Sequence, residues 1–168
     1  MTDDADQRHG DSWDERIAAF WKVADDERPD AMWAALDVLL AERPTADAAA
    51  AFERASLHDM LGEEHAAIPL YQAAMDGGLD AERQGYATIQ LASSLRNVGR
   101  LDEERALLES VRSDDSLGAA ARSFLALTLH DLGQSGEALR LVLTDHAPHV
   151  PLYGRALAEY AALLPGDQ

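Results

Sequence analysis

Ser93, Arg96 and His130 are the residues whose types come nearest to a reaction: a hydroxyl nucleophile, a cation to hold an anion, and an imidazole base. Such a trio performs acyl transfer only where amides stabilise the developing oxyanion, and no glycine loop of that kind accompanies them. Asp145, His146 and His149, in "DHAPH", form the densest set of metal-ligand types. Pro148 separates the two histidines, and no fixed helical spacing supports a ligand set there. No phosphate-cradling Gly-rich loop occurs, and the chain has no cysteine for thiol chemistry, disulfides or Cys-based zinc sites. The expectation is a chain with no catalytic residues, no metal and no cofactor.

The elements that would have to position any site are helices. Alanine and leucine supply most of an apolar content of 47% in 168 residues, and the β-branched side chains that sheets favour are sparse. That length suits one compact domain with a real core. The formal charge of −17, with 31 acidic against 14 basic residues and Lys22 the lone lysine, repels phosphate backbones. Nucleic acid is therefore not an expected partner, whereas a basic protein would be steered inward. The opening run "MTDDADQRHGD" has no apolar signal core, and nowhere do eighteen apolar residues follow one another. A soluble cytoplasmic protein without membrane contact is expected.

Residues 1–11 read as a disordered acidic tail. Order is expected from Ser12, which with Glu15 makes a capping-box pattern ahead of Trp13, Ile17, Phe20, Trp21 and Ala24 at helical spacing. A second run places Met32, Trp33, Leu36, Leu39 and Leu40 on one face and stops at Pro44. The punctuation then becomes regular, with helical runs ending at Gly62, Gly99 and Gly133 and a second amphipathic run following each at once. A glycine can close a helix in the left-handed conformation, so each unit reads as a helical hairpin. Intervals of 37 and 34 residues between these glycines mark a helical repeat. Gly77-Gly78 and "SDDSLG" are the expected turns between hairpins. Residues 150–164 read as a closing helix with one apolar and one polar face.

At these residues the chain resembles the tetratricopeptide repeat family over about residues 46–146, and "LASSLRNVG" and "FLALTLHDLG" are most like short actinobacterial repeat proteins of unassigned function. The family pattern is met around the three turns by Ala55, Ala67, Tyr71 and Ala74; by Ala92, Leu95 and Leu108; and by Ala126, Leu129, Ala138 and Val142. Small residues at 55, 92 and 126 let paired helices approach closely. His58 and Glu104 depart from the pattern. Glu104 stands where the family has alanine, so either the hairpin opens slightly or the helix rotates to put Ala106 inward, the rotation being favoured by the stripe Leu101, Leu107, Leu108 and Val111.

The resemblance implies an all-α, right-handed tetratricopeptide-like solenoid of about nine helices: a degenerate hairpin at 12–44, repeats at 46–78, 80–113 and 116–146, and the cap, forming one domain over 12–165. Trp21 and Trp33 are expected between the two helices of the first hairpin. One face of each repeat's first helix, carrying Arg54, His58 and Leu61, then Leu91, Leu95 and Val98, then Leu125, Leu129 and Leu132, is apolar in the latter two hairpins and expected to be buried. A second face implies a concave groove for a partner peptide, lined by Phe52, Ser56, Asp59, Tyr86, Ile89, Ser93, Arg96, Asn97, Ser123 and His130, with Leu127 and Asp131 beside them. Arg96 suits a carboxylate and Asn97 a peptide group. Groove lysines that grip a C-terminal carboxylate in some relatives are missing. The function expected is a non-catalytic adaptor. The alternatives are that these polar residues only solvate the surface or pair with one another, as Asp59 with Arg96; that terminal helices stack copies into a scaffold; or that the acidic chain is a decoy for a nucleic-acid-binding protein.

Overall fold

The computed structural model describes residues 12–112 and 117–164. The expected tail at 1–11 and the turn residues 113–116 lie outside them. Among the described residues are nine α-helices and no strand: α1 (Trp13–Lys22), α2 (Pro29–Leu40), α3 (Ala48–Met60), α4 (Glu64–Asp76), α5 (Ala81–Asn97), α6 (Leu101–Glu109), α7 (Gly118–Asp131), α8 (Ser135–His146) and α9 (Gly154–Ala162). A 3-10 turn, Ala147–His149, precedes α9. Two compact units divide the chain, Met1–Leu79 with α1 to α4 and Asp80–Gln168 with α5 to α9. Within each, neighbouring helices pack in chain order, as in a helical-repeat solenoid.

In the first unit, the Ser12 hydroxyl accepts from the Glu15 amide at 3.2 Å while Glu15 accepts from the Ser12 amide at 2.6 Å, closing the expected capping box of α1. Pro29 starts α2, where its missing N–H costs nothing, and Asp47 caps α3 by accepting from Ala50. Ile17, Phe20, Met32, Leu36, Leu40 and Leu57 are the core. Trp13, Trp21 and Trp33 all pack against this core, and their polar and ring contacts differ. Trp13 ties α1 to α2 by donating to the Leu39 carbonyl at 2.9 Å. Trp21 reaches α3, donating to the Glu53 carboxylate at 2.7 Å, and Trp33 lies against His58 of α3 with ring centroids 4.5 Å apart. An indole needs a partner for its one N–H when buried, and the acceptors available to Trp13 and Trp21 stand on different helices.

Gly62, Gly99 and Gly133 turn their hairpins at φ of +72°, +76° and +80°. Each turn carries the same pair of closing bonds: Gly62 N–H to Asp59 and Glu63 N–H to His58, Gly99 to Arg96 and Arg100 to Leu95, Gly133 to His130 and Gln134 to Leu129. These satisfy carbonyls that a helix end otherwise leaves bare. The small residues Ala55, Ala92 and Ala126 are buried, as are Ala67, Tyr71 and Ala74 along α4. In the second unit Ala92, Leu108 and Ala121 form one core cluster and Ala126, Leu129 and Ala138 another. Leu91, Leu95 and Leu129 are buried as expected. Leu132 is exposed and Val98 only half-buried, whereas the corresponding Leu61 packs against the first core cluster. Val142 is exposed where Tyr71 is fully buried.

One expectation is corrected. Glu104 has no exposed surface and Ala106 is exposed, so α6 does not rotate to bring Ala106 inward. Leu108, four residues on and also buried, holds that face of the helix down and carries Glu104 with it. In the closing helix, Arg155 and Glu159 lie on the outer side, accompanied by exposed Tyr160 and, just past the helix, exposed Leu163. Ala161 takes the buried side, with Leu157 and Leu164 half-buried beside it.

Candidate functional site

The sequence-selected groove residues fall into three environments. Phe52 and Ser56 are interior. Phe52 lies 6.1 Å from the Tyr71 ring, and the Ser56 hydroxyl donates back to the Phe52 carbonyl at 3.0 Å. Asp59 is half-buried and accepts from the Tyr71 hydroxyl at 3.4 Å, so in the first unit this stripe serves the α3–α4 pairing. Burial, with Asp59 and Glu53 nearby, pushes the Tyr71 hydroxyl well above its ordinary range and keeps it a neutral donor.

In the second unit the stripe is open. Tyr86 and Leu127 expose about half their surface, 46% and 44%. Ser93 and Arg96 are half-buried, and Asn97, Ser123 and His130 are exposed. Tyr86, Ile89, Ser93, Arg96 and Asn97 recur at helical spacing along α5, and Ser123, Leu127 and His130 do so along α7. Ile89 is the exception in that row, being packed with Phe124 and Leu125 against the Ala92 cluster. The Arg96 Nε donates to Asp131 at 2.7 Å, tying α5 to α7. The His130 ring meets the Ser135 hydroxyl at 2.9 Å, and Ser123 donates to the Ala119 carbonyl. Ser93 and His130 are thus not brought together as a nucleophile and base by any bond between them.

Glu104 is the residue that sequence reasoning placed wrongly. Neither carboxyl oxygen has a hydrogen-bond partner. Burial pushes its pKa above the usual carboxylate range, with the neighbouring Thr128 hydroxyl and the Arg96 charge pulling the other way and Asp131 adding to the rise. The Thr128 hydroxyl donates to the Phe124 carbonyl at 3.0 Å. Its misfit was visible as an acid in an alanine position; its direction was not.

The "DHAPH" residues do not form a ligand set. Asp145 is bound by Arg122, while His146 and His149 are exposed at the end of α8 and in the 3-10 turn. Among the described residues, no group of three or more His, Asp or Glu side chains could hold a metal. None of the described helices is long and apolar enough to cross a membrane. An open depression of about 460 Å³ beside α9, lined by Thr144, Ala147, Val150 and Ala158 among others, brings no acid–base pair together.

Antiparallel hairpins closed by left-handed glycines, with alanines at the crossings, define a helical-repeat protein of the two-helix type. The family model described as Tetratrico peptide repeat matches residues 48–164, and the chain belongs to that family. The match starts at α3 and leaves α1 and α2 outside it. No curated protein and no solved structure matches the chain. Members of this family are in general non-catalytic scaffolds for protein–protein interaction.

Proposed function

We propose that the chain is a cytoplasmic, non-catalytic adaptor that captures a segment of a partner protein on the α5–α7 face of its second unit. The observation that carries this reading is the composition of that face. Half-exposed Tyr86 and Leu127 offer apolar anchors among Ser93, Arg96, Asn97, Ser123 and His130, which supply donors and acceptors for a peptide backbone. Phe52, Ser56 and Asp59 drop out of the contact set, because they are engaged within the α3–α4 hairpin. The surface sits on helices held by the core clusters around Ala92 and Ala126, so little ordering remains to be done on binding. A basic segment fits the chain's overall charge of −17.

Affinity capture from the native cell tests the proposal, with Arg96→Glu combined with Asn97→Ala as the control. Partner recovery should fall at least about tenfold, because a contact worth about 1.4 kcal/mol is lost. The melting temperature should move little, since a solvent-facing ion pair such as Arg96–Asp131 contributes about 0–1 kcal/mol. Equal recovery with the double variant would remove this face from the binding surface.

A further inference from the structure

The outer side of α9 and the turn before it form the most exposed apolar surface of the second unit. Leu152, Tyr153, Tyr160 and Leu163 expose 95%, 71%, 70% and 78% of their surface. Leu152 also has φ of +70°, a backbone conformation that side chains other than glycine and asparagine adopt at a cost. The Tyr153 amide donates to the Pro151 carbonyl at 2.9 Å and the Gly154 amide to Val150 at 3.1 Å, which holds that strained turn in place. A strained turn that presents a leucine to solvent is a feature to be explained rather than a packing accident.

Charge and sequence order say what covers it. Residues 147–164 contain one cation, Arg155, and one anion, Glu159, so they carry no net charge in a chain of −17. Two copies can approach here without bringing their carboxylate excess together. The stretch "LYGRALAEYAAL" is also close to symmetric about Leu157. Arg155 lies two residues before that centre and Glu159 two after, with Tyr153 and Tyr160, then Leu152 and Leu163, placed outside them. At 100° per residue, Arg155 and Glu159 fall on one flank of the exposed side, Tyr160 on the other, and Leu163 between. Antiparallel helices bring like flanks together. Within one chain the Arg155–Glu159 pair is loose, 3.4 Å apart with side chains 93% and 66% exposed, so both groups stay open to a second partner.

We propose that α9 is a self-association surface on which two copies pair antiparallel about a two-fold axis near Leu157. Arg155 of each copy then faces Glu159 of the other, Tyr153 meets Tyr160, and Leu152 and Leu163 close the two ends. A two-fold contact is made by the same patch on both copies, and a near-symmetric run of residues is what such a patch requires. One helix and a turn make a small interface, so the association depends on concentration.

Sedimentation velocity of the full chain, from about 10 µM to about 1 mM, should show a monomer passing to a dimer. R155E and E159R should each weaken the dimer at least about tenfold, because every two-fold contact then holds two like-charge pairs. The two substitutions move the net charge in opposite directions, so a general charge effect would weaken one and strengthen the other. Mixing R155E with E159R restores opposite charges at both contacts and should recover dimerisation, as should the double variant R155E/E159R. Circular dichroism of each variant separates loss of pairing from loss of fold. A wild-type chain that stays monomeric throughout overturns the proposal, as does dimerisation indifferent to both single variants. Binding of the wild-type chain to phosphatidylcholine vesicles without self-association also overturns it, by assigning the apolar face to a lipid surface.

Discussion

Five residues past its turn glycine, the α3–α4 hairpin has Ala67 and the α5–α6 hairpin has Glu104, and neither exposes any surface. The same crossing is filled by a methyl group in one unit and by a carboxyl with no hydrogen-bond partner in the other. The first unit also buries an acid, Glu53, but gives it the Trp21 N–H. A buried carboxyl is therefore tolerated in both units on different terms: partnered where the surroundings supply a donor, and held toward its neutral form where they do not. Net charge follows the reverse order. The first unit holds eighteen acidic and six basic residues, a balance of −12, and the second thirteen and eight, a balance of −5. The unit with the lower charge is the one that keeps an open polar stripe and an uncharged outer helix.

Exchanging the two residues should have the largest effect. Ala67→Glu should cost about 3–5 kcal/mol, because a carboxylate would replace a methyl group that exposes no surface. Since all three tryptophans lie in that unit, denaturant titration followed by tryptophan fluorescence reads the loss directly. Retained stability would mean that the alanine position is not selected by packing.

Glu104→Ala should act in the opposite direction and gain about 1–3 kcal/mol near pH 8, the cost of an unsatisfied buried polar group. The sign with pH follows from the raised pKa. A folded state that holds the proton more tightly than the unfolded chain is favoured fully below the ordinary value of 4.5 and loses that advantage as pH rises through the folded pKa. Wild-type stability should therefore fall over that window relative to the alanine variant, and the gain from the substitution should shrink toward acid. Thermal melts by circular dichroism at a series of pH values measure it; a pH-independent difference would show that Glu104 does not change protonation on unfolding.

Trp21→Phe keeps most of the ring's packing but removes the donor to Glu53, and should cost about 1–2 kcal/mol in the first unit. No change would mean that the bond is incidental to tolerating the buried carboxylate.

Much of the local architecture was legible before any coordinates. The Ser12–Glu15 cap, the three turn glycines and the alanines at 55, 92 and 126 can be read because each depends on a few neighbouring residues and on helical spacing. The candidate site was less legible. Phe52 and Tyr86 occupy comparable stripes of α3 and α5, yet one is interior beside Tyr71 and the other half-exposed. Nothing in either helix alone distinguishes them. Arg96 could choose among several acids of similar spacing, and its bond to Asp131 depends on how α5 lies along α7.

The sequence alone determined the helices, their turns and their repeat, because hydrogen bonds within a helix and the left-handed freedom of glycine act between residues close in the chain. It also determined the charge of −17, which belongs to composition. Only the tertiary structure decided that Glu104 points inward unpartnered, that Phe52 and Ser56 are interior, and that the last helix turns tyrosine and leucine outward. Those outcomes turn on which helix face meets a neighbour, and burial is a property of the pair of surfaces, not of either segment alone.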